Sequence, residues 1–198
     1  IVDYFSMNES RLGSATVQED STFSVQFYIE ETQKIRVRSN NNQSFMYIEP
    51  NATYSIYLPE MDRFTAYRPA GNEVEITFFD IDSTDINYKI LQFNRWVDDF
   101  VANNFNYRRE QPIEFAKILD TFKVGVHNYY VADTGKYIYD YVRYTMSSLD
   151  NIQHAAERNR YEKHDFYLKY SPVLYRNDAY MDYFINFYRG MMPKLAME

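Results

Sequence analysis

An α+β fold is predicted, with an antiparallel β-sandwich over residues 1–80 followed by a four-helix bundle-like module over residues 81–198. Three observations carry it. Through the first module apolar residues recur at every second position, the period of a strand with one buried face. Beyond it they recur at every third or fourth position, the period of a single helix face. The change of period falls without a Gly/Ser-rich linker, so the two modules are expected to dock rather than swing free.

The strands follow in order. "IVDYFSM" and "LGSATVQ" are read as the first two. In "STFSVQFYI", Phe23, Val25, Phe27 and Ile29 share one side, and Ser24, Gln26 and Tyr28 the other. "KIRVR" points Ile35 and Val37 inward between charged residues that are expected to face water. "SNNNQ" supplies turn chemistry before "SFMYIEP". Pro50 and Asn51 break the chain ahead of "TYSIYLP", where Tyr54, Ile56 and Leu58 alternate. A turn at "RPAGN" precedes "EVEITFF", with Val74, Ile76 and Phe78 in register. Roughly seven short strands with this punctuation are the pattern of an antiparallel sandwich.

The helices begin after "DIDSTD". Ile86, Ile90, Phe93, Val97 and Phe100 step by four, three, four and three along one face. Asp82 is the expected N-cap, with Asp85 three residues on completing a capping-box-like start. A second helix is expected from Pro112, whose missing N–H costs nothing at the first position, through Leu119 and Val126 to about Tyr130. "ADTG" interrupts, with Asp133 or Thr134 as the next cap. The third helix carries Ile138, Val142, Thr145, Leu149, Ile152 and Ala156. "ERNRYEKHD" either extends it as an exposed end or forms a loop. The last helix runs through "NDAYMDYFINFYRGMM" to stop signals at Gly190 and Pro193.

Composition excludes several classes of function. With 28 acidic against 21 basic side chains the net charge is −7, which leaves no electrostatic footprint for nucleic acid or anionic lipid. The chain has no cysteine, which removes disulfides, thiolate catalysis and cysteine-based metal sites. No apolar stretch approaches the ~18 residues of a membrane span. The opening "IVDYF" lacks an initiator Met and is read as a trimmed or processed edge.

Motifs for chemistry are sparse. Asp80, Asp82 and Asp85 resemble the start of a calcium loop, but Leu91 stands where the bidentate Glu is needed, and helix capping explains the same residues. His127, His154 and His164 occur singly, without metal-ligand spacing. No Gly-rich phosphate loop and no nucleophile elbow is found. The neighbouring carboxylates Asp98–Asp99 and Glu30–Glu31 point apart on their elements, so neither is a ready acid/base couple. Catalytic, cofactor and metal residues are accordingly assigned to none, and the chain is expected not to be an enzyme.

The 21 Tyr and 15 Phe are the unusual feature. At 100° per residue, Tyr180, Tyr183, Phe184, Phe187 and Tyr188 cover an arc of about 140°, which also takes in Met191. Asp182, Asn186 and Arg189 fall opposite. An arc that wide is read as core rather than as a stacking platform. In "KYIYDYVRY", Tyr137, Tyr141 and Tyr144 share a side while Tyr139 points elsewhere, which marks Tyr139 for surface contact. Tyr67, in the first module, and Tyr175 and Asn177, in the turn before the last helix, complete the candidate ligand contacts.

Four stretches, "MYIEPNATYSIYLP", "DINYKILQFN", "KYIYDYVRYTMSSLDNI" and "SPVLYRNDAYMDYFINFYRG", resemble the N-terminal region of thioredoxin-like envelope proteins of Bacteroidetes-type bacteria. The resemblance implies a small sandwich of the transthyretin or carboxypeptidase-regulatory kind, then a helical segment. It further implies a periplasmic or cell-surface location and a chain cut from a longer protein. The family's sandwich has a Gly two residues before the aromatic that opens a strand, where this chain has Ser21 before Phe23. No Cys-x-x-Cys is present, so the family's redox activity is not carried over. The expected role is a non-catalytic binding or scaffolding module serving a protein partner or a downstream domain. The alternatives are a peptide- or glycan-binding protein using exposed tyrosines at the join of the modules, and a cryptic carboxylate-dependent hydrolase.

Overall fold

The computed structural model describes residues 2–5, 8–40, 42–59, 72–153 and 160–189. The fold is α+β, and the chain divides into two compact units between Tyr88 and Lys89. That division lies beyond the predicted boundary at residue 80, inside the first turn of a helix. The reason is local: the Asn87 amide is tied to the first unit, as described below.

In the first unit, β1 (Val2–Phe5), β2 (Asn8–Arg11), β3 (Gln33–Ser39), β4 (Asn42–Ile48) and β6 (Asn72–Glu73) form one sheet in the order β2-β1-β3-β4-β6. β5 (Ser55–Tyr57) and β7 (Thr77–Phe79) form a second, two-stranded antiparallel sheet. All pairs in the larger sheet are antiparallel except β4 with β6, which is parallel. The Ser44 hydroxyl donates to the Val74 carbonyl and fastens that edge.

The β3–β4 hairpin is the best-specified part of the unit. Its turn contains Asn40 at φ +54°, a left-handed conformation that Asn tolerates better than other side chains. Register places Ile35 opposite Met46 and Gln33 opposite Ile48. Ile35, Val37, Met46, Ile48 and Ile76 form the core, and Ile56 from β5 and Phe78 from β7 pack against it, so both sheets feed one apolar cluster.

Two expectations are corrected here. Residues 12–18 and 22–29 lie outside both sheets. Their burial nevertheless alternates as predicted, with Phe23, Val25, Phe27 and Ile29 half-buried and Ser24, Gln26 and Tyr28 exposed. Alternation records which side chains meet a core, whereas a strand also needs a neighbour with free N–H and C=O groups. The second correction concerns Arg36, which was expected to face water and is 6% exposed. Beside it, the Lys34 ammonium lies 5.1 Å from the Phe45 ring centre and 5.6 Å from that of Tyr47.

The second unit begins within α1 (Ile86–Glu110) and continues with α2 (Pro112–Tyr130), a 3₁₀ turn (Val131–Asp133), α3 (Tyr137–Gln153), α4 (Arg160–Tyr167) and α5 (Asp178–Arg189). The N-cap of α1 is Asp85 rather than Asp82. Its carboxylate accepts from the backbone N–H of Asn87 at 2.7 Å and of Tyr88 at 3.4 Å. Asp82 instead closes the preceding turn onto Thr84. The Asn87 amide then grips the Tyr47 backbone at both ends, accepting from its N–H at 2.8 Å and donating to its carbonyl at 2.9 Å.

Pro112 opens α2 as expected. Asp133 and Thr134 do not cap α3. Asp133 accepts from Lys89 at 2.8 Å and from Lys136 at 2.9 Å, while the Thr134 hydroxyl returns to the Val131 carbonyl. The charged stretch contributes α4 from Arg160 onward, which makes five α-helices among the described residues. The predicted stop signals Gly190 and Pro193, together with His154, Ala156 and Met191, lie outside the described residues.

Two apolar clusters organise this unit, and α3 contributes to both. Phe100, Phe115, Leu119 and Leu149 join α1, α2 and α3, with Phe100 and Phe122 stacked at 4.3 Å. Tyr144, Tyr167, Leu168, Tyr180 and Tyr183 join α3, the end of α4 and α5. The aromatic arc of α5 therefore faces a core, and Asp182, Asn186 and Arg189 are exposed on the other side.

Candidate functional site

Two helices of the second unit present faces of identical spacing. On α2 the face is Lys123, Val126, His127 and Tyr130; on α3 it is Tyr139, Val142, Arg143 and Met146. Each set runs i, i+3, i+4, i+7, which stacks its side chains into a single stripe. Phe166 and Tyr167, the last residues of α4, close a third side, and a cavity of about 370 Å³ lies among them. That is within the usual range of small-molecule pockets, about 300–1,000 Å³.

The end of α4 is tied to α3 by its own carbonyls. The Arg143 guanidinium donates to the Phe166 carbonyl at 3.3 Å, and the buried Tyr144 hydroxyl donates to the Tyr167 carbonyl at 3.0 Å. These bonds satisfy acceptors that a helix C-terminus leaves open. Arg143 thus stands where a wall of the cavity is attached.

The floor is aromatic and buried. Tyr130 is 1% exposed, and its ring meets Phe93 edge-on at 5.9 Å and Trp96 at 6.1 Å. Its hydroxyl donates to the Lys89 carbonyl at 3.1 Å. Burial, with smaller contributions from Tyr129 and Asp133, pushes that hydroxyl's pKa well above the usual range, so it stays a neutral donor. The outer wall is more open, with Phe166 64% exposed and His127 at the surface.

The polarity of the lining is one-sided. Lys123, His127 and Arg143 are its basic groups, and among the described residues no carboxylate lines the cavity. Asp140, one turn before Arg143 on α3, is raised above the ordinary carboxyl range by burial, against the lowering influence of Arg143. The arrangement suits binding: apolar and aromatic contact area with a few polar groups to fix orientation.

The four residues nominated from sequence fare differently. Tyr139 is half-buried and lines the cavity. Tyr175 is 58% exposed in the turn before α5 and does not line it. Asn177 is corrected from a ligand contact to a helix cap. It is 4% exposed, its Oδ1 accepts from the Tyr180 N–H and its Nδ2 donates to the Tyr137 carbonyl, both at 3.1 Å. Tyr67 lies outside the described residues. Lys123 and Arg143 are not singled out by the sequence, and His127 stands there only as a lone histidine without metal-ligand spacing. The available signal was a basic residue directly after the valine of an apolar stripe, in "KVGVHNYY" and again in "YDYVRYTM".

Among the described residues, no group of three or more His, Asp or Glu is placed to hold a metal ion, and no helix is long and apolar enough to cross a membrane. Fold and cavity together define an α+β protein with a ligand-sized, basic and aromatic pocket in its helical unit. No family model, curated protein or solved structure matches the chain.

Proposed function

We propose that the chain is a non-catalytic binding module whose ligand occupies the cavity between α2, α3 and the end of α4. The observation that carries this reading is the pairing of two i, i+3, i+4, i+7 stripes around about 370 Å³ of space with aromatic lining. Tyr139, singled out from sequence as the tyrosine that leaves its neighbours' face, lines that space.

In the same reading the first unit is a small sandwich of the transthyretin-like kind and the second a bundle-like module, together accessory to a larger chain or complex of the bacterial envelope. The single core fed by both sheets supports the sandwich. The two clusters sharing α3 support the bundle. The envelope location rests on the resemblance of the four quoted stretches.

A thermal-shift and calorimetric panel of peptides, glycans and small aromatic compounds tests the binding role. Ligands that stabilise the protein are expected to lose about tenfold in affinity in Tyr139→Ala, a ring contact worth roughly 1–1.5 kcal/mol. A robust hydrolase or transferase activity that is abolished by changing one cavity residue would replace the binding reading.

A further inference from the structure

The geometry points to a ligand of particular chemistry: an apolar, preferably aromatic group bearing a carboxylate, bound with its ring against Tyr139 and Phe166 and its carboxylate toward Arg143 and Lys123. This inference rests on the cavity being the binding site, and it adds the charge and shape of what binds.

The argument starts from contrast with the rest of the chain. Acidic side chains outnumber basic ones 28 to 21 overall, yet the polar side chains of the cavity, apart from tyrosine hydroxyls, are Lys123, His127 and Arg143. A neutral glycan is recognised by carboxylates that accept from its hydroxyls and by amides that both accept and donate, and that equipment is not what these residues supply. A guanidinium beside apolar walls offers planar donors whose geometry matches a carboxylate.

Placement on the two helices agrees with this. Val142 and Arg143 on α3 face the stripe of Val126 and His127 on α2, so each helix sets an apolar group beside a basic one. Arg143 is also oriented, because its guanidinium reaches the Phe166 carbonyl at 3.3 Å and lies 5.4 Å from the Tyr144 ring centre. A pre-positioned donor loses less side-chain freedom when a ligand arrives.

The shared chemistry has two sources, a free aromatic acid and the C-terminal carboxylate of a peptide ending in an aromatic residue. The experiment compares both with their uncharged counterparts. Calorimetry, with emission from Trp96 as a second readout, is run on the whole chain. The probes are 3-phenylpropionate and 3-phenylpropanamide, and a short glycine peptide ending in phenylalanine with a free or an amidated C-terminus. Trp96 is the single tryptophan and its ring contacts Tyr130 on the cavity floor.

Each acid is expected to bind at least about tenfold more tightly than its amide. Arg143→Met is expected to erase that preference, so that acid and amide then bind alike, and Arg143→Lys to restore part of it. Should Arg143→Met fail to fold, salt titration of the unaltered protein replaces it: the acids weaken with ionic strength and the amides do not. A free acid and a peptide acid in either order of affinity support the inference and identify the source.

Equal affinity for acid and amide, or tighter binding of a neutral disaccharide, overturns the carboxylate inference and leaves the cavity reading standing. If no probe in the wider panel binds and Tyr139→Ala changes nothing, both fall.

Discussion

Asn177 ties two helices together, and replacing it separates structure from ligand binding at a position that sequence alone marks for contact. In the folded chain its Oδ1 caps α5 by accepting from the Tyr180 N–H, and its Nδ2 holds the Tyr137 carbonyl at the start of α3. Asn177→Ala removes both bonds. The loss of an N-cap costs about 1 kcal/mol in a typical helix. Here Tyr180 is 1% exposed, so water cannot replace the acceptor, and the orphaned donor brings the total to about 2–3 kcal/mol. The Tyr137 carbonyl keeps its intrahelical acceptor role and adds little.

Asn177→Ser keeps a capping oxygen but drops the tie to α3, so its cost is expected near 1 kcal/mol. Urea denaturation followed by far-UV circular dichroism measures both, with the midpoint moving at unchanged slope. An alanine variant within about 0.5 kcal/mol of the original would refute the capping argument. A variant of full stability that loses ligand affinity would return Asn177 to the binding site.

Asp133 supplies the pH dependence. Burial pushes its carboxyl pKa up, but hydrogen bonds and charge from Lys89 and Lys136 outweigh that and hold it below the ordinary range. A carboxyl lowered by folding stabilises above its unfolded value of about 3.9, and that contribution is lost as pH falls through its folded value. Asp133→Asn is therefore expected to cost about 2 kcal/mol at pH 7, with the gap to the original closing below about pH 4 in urea melts; a gap that is constant with pH would refute it. Gly13→Ala would set a Cβ 2.8 Å from Val25 Cγ1, and valine turns stiffly about χ1. A loss of about 1–2 kcal/mol is expected in thermal melts after the entropic gain of alanine is set against it, and a neutral result would show that the segment yields.

Much of this organisation is legible in the residues. The steps of Ile86, Ile90, Phe93, Val97 and Phe100 reproduce the inner face of α1, and Pro112 marks the start of α2. The ring arc of α5 faces the core because Phe184 and Phe187 have no polar tip that water could satisfy. The capping residue of α1 is not legible in the residues, because Asp82 and Asp85 are equally good caps by type and only the helix start at Ile86 distinguishes them. The cavity was half legible. Tyr139 was visible as the odd member of its tyrosine run, but Arg143 and Lys123 look like ordinary solvated charges until α2 and α3 face each other.

The sequence by itself determines the two periods, hence an α+β chain with strands first and helices after, and it determines which side of each element is apolar. These are local properties, set by where a side chain points every 100° or 180° along the backbone. Tertiary structure alone decides which apolar segments find hydrogen-bonding partners, which is why residues 22–29 alternate in burial yet stay outside both sheets. It also decides which polar groups are taken out of water. Asn177 becomes a cap, Asp133 a buried partner of two lysines, and Arg143 the basic group of an aromatic cavity. Each also makes a contact far along the chain, Asn177 with Tyr137, Asp133 with Lys89 and Arg143 with Phe166, and no local pattern carries that information.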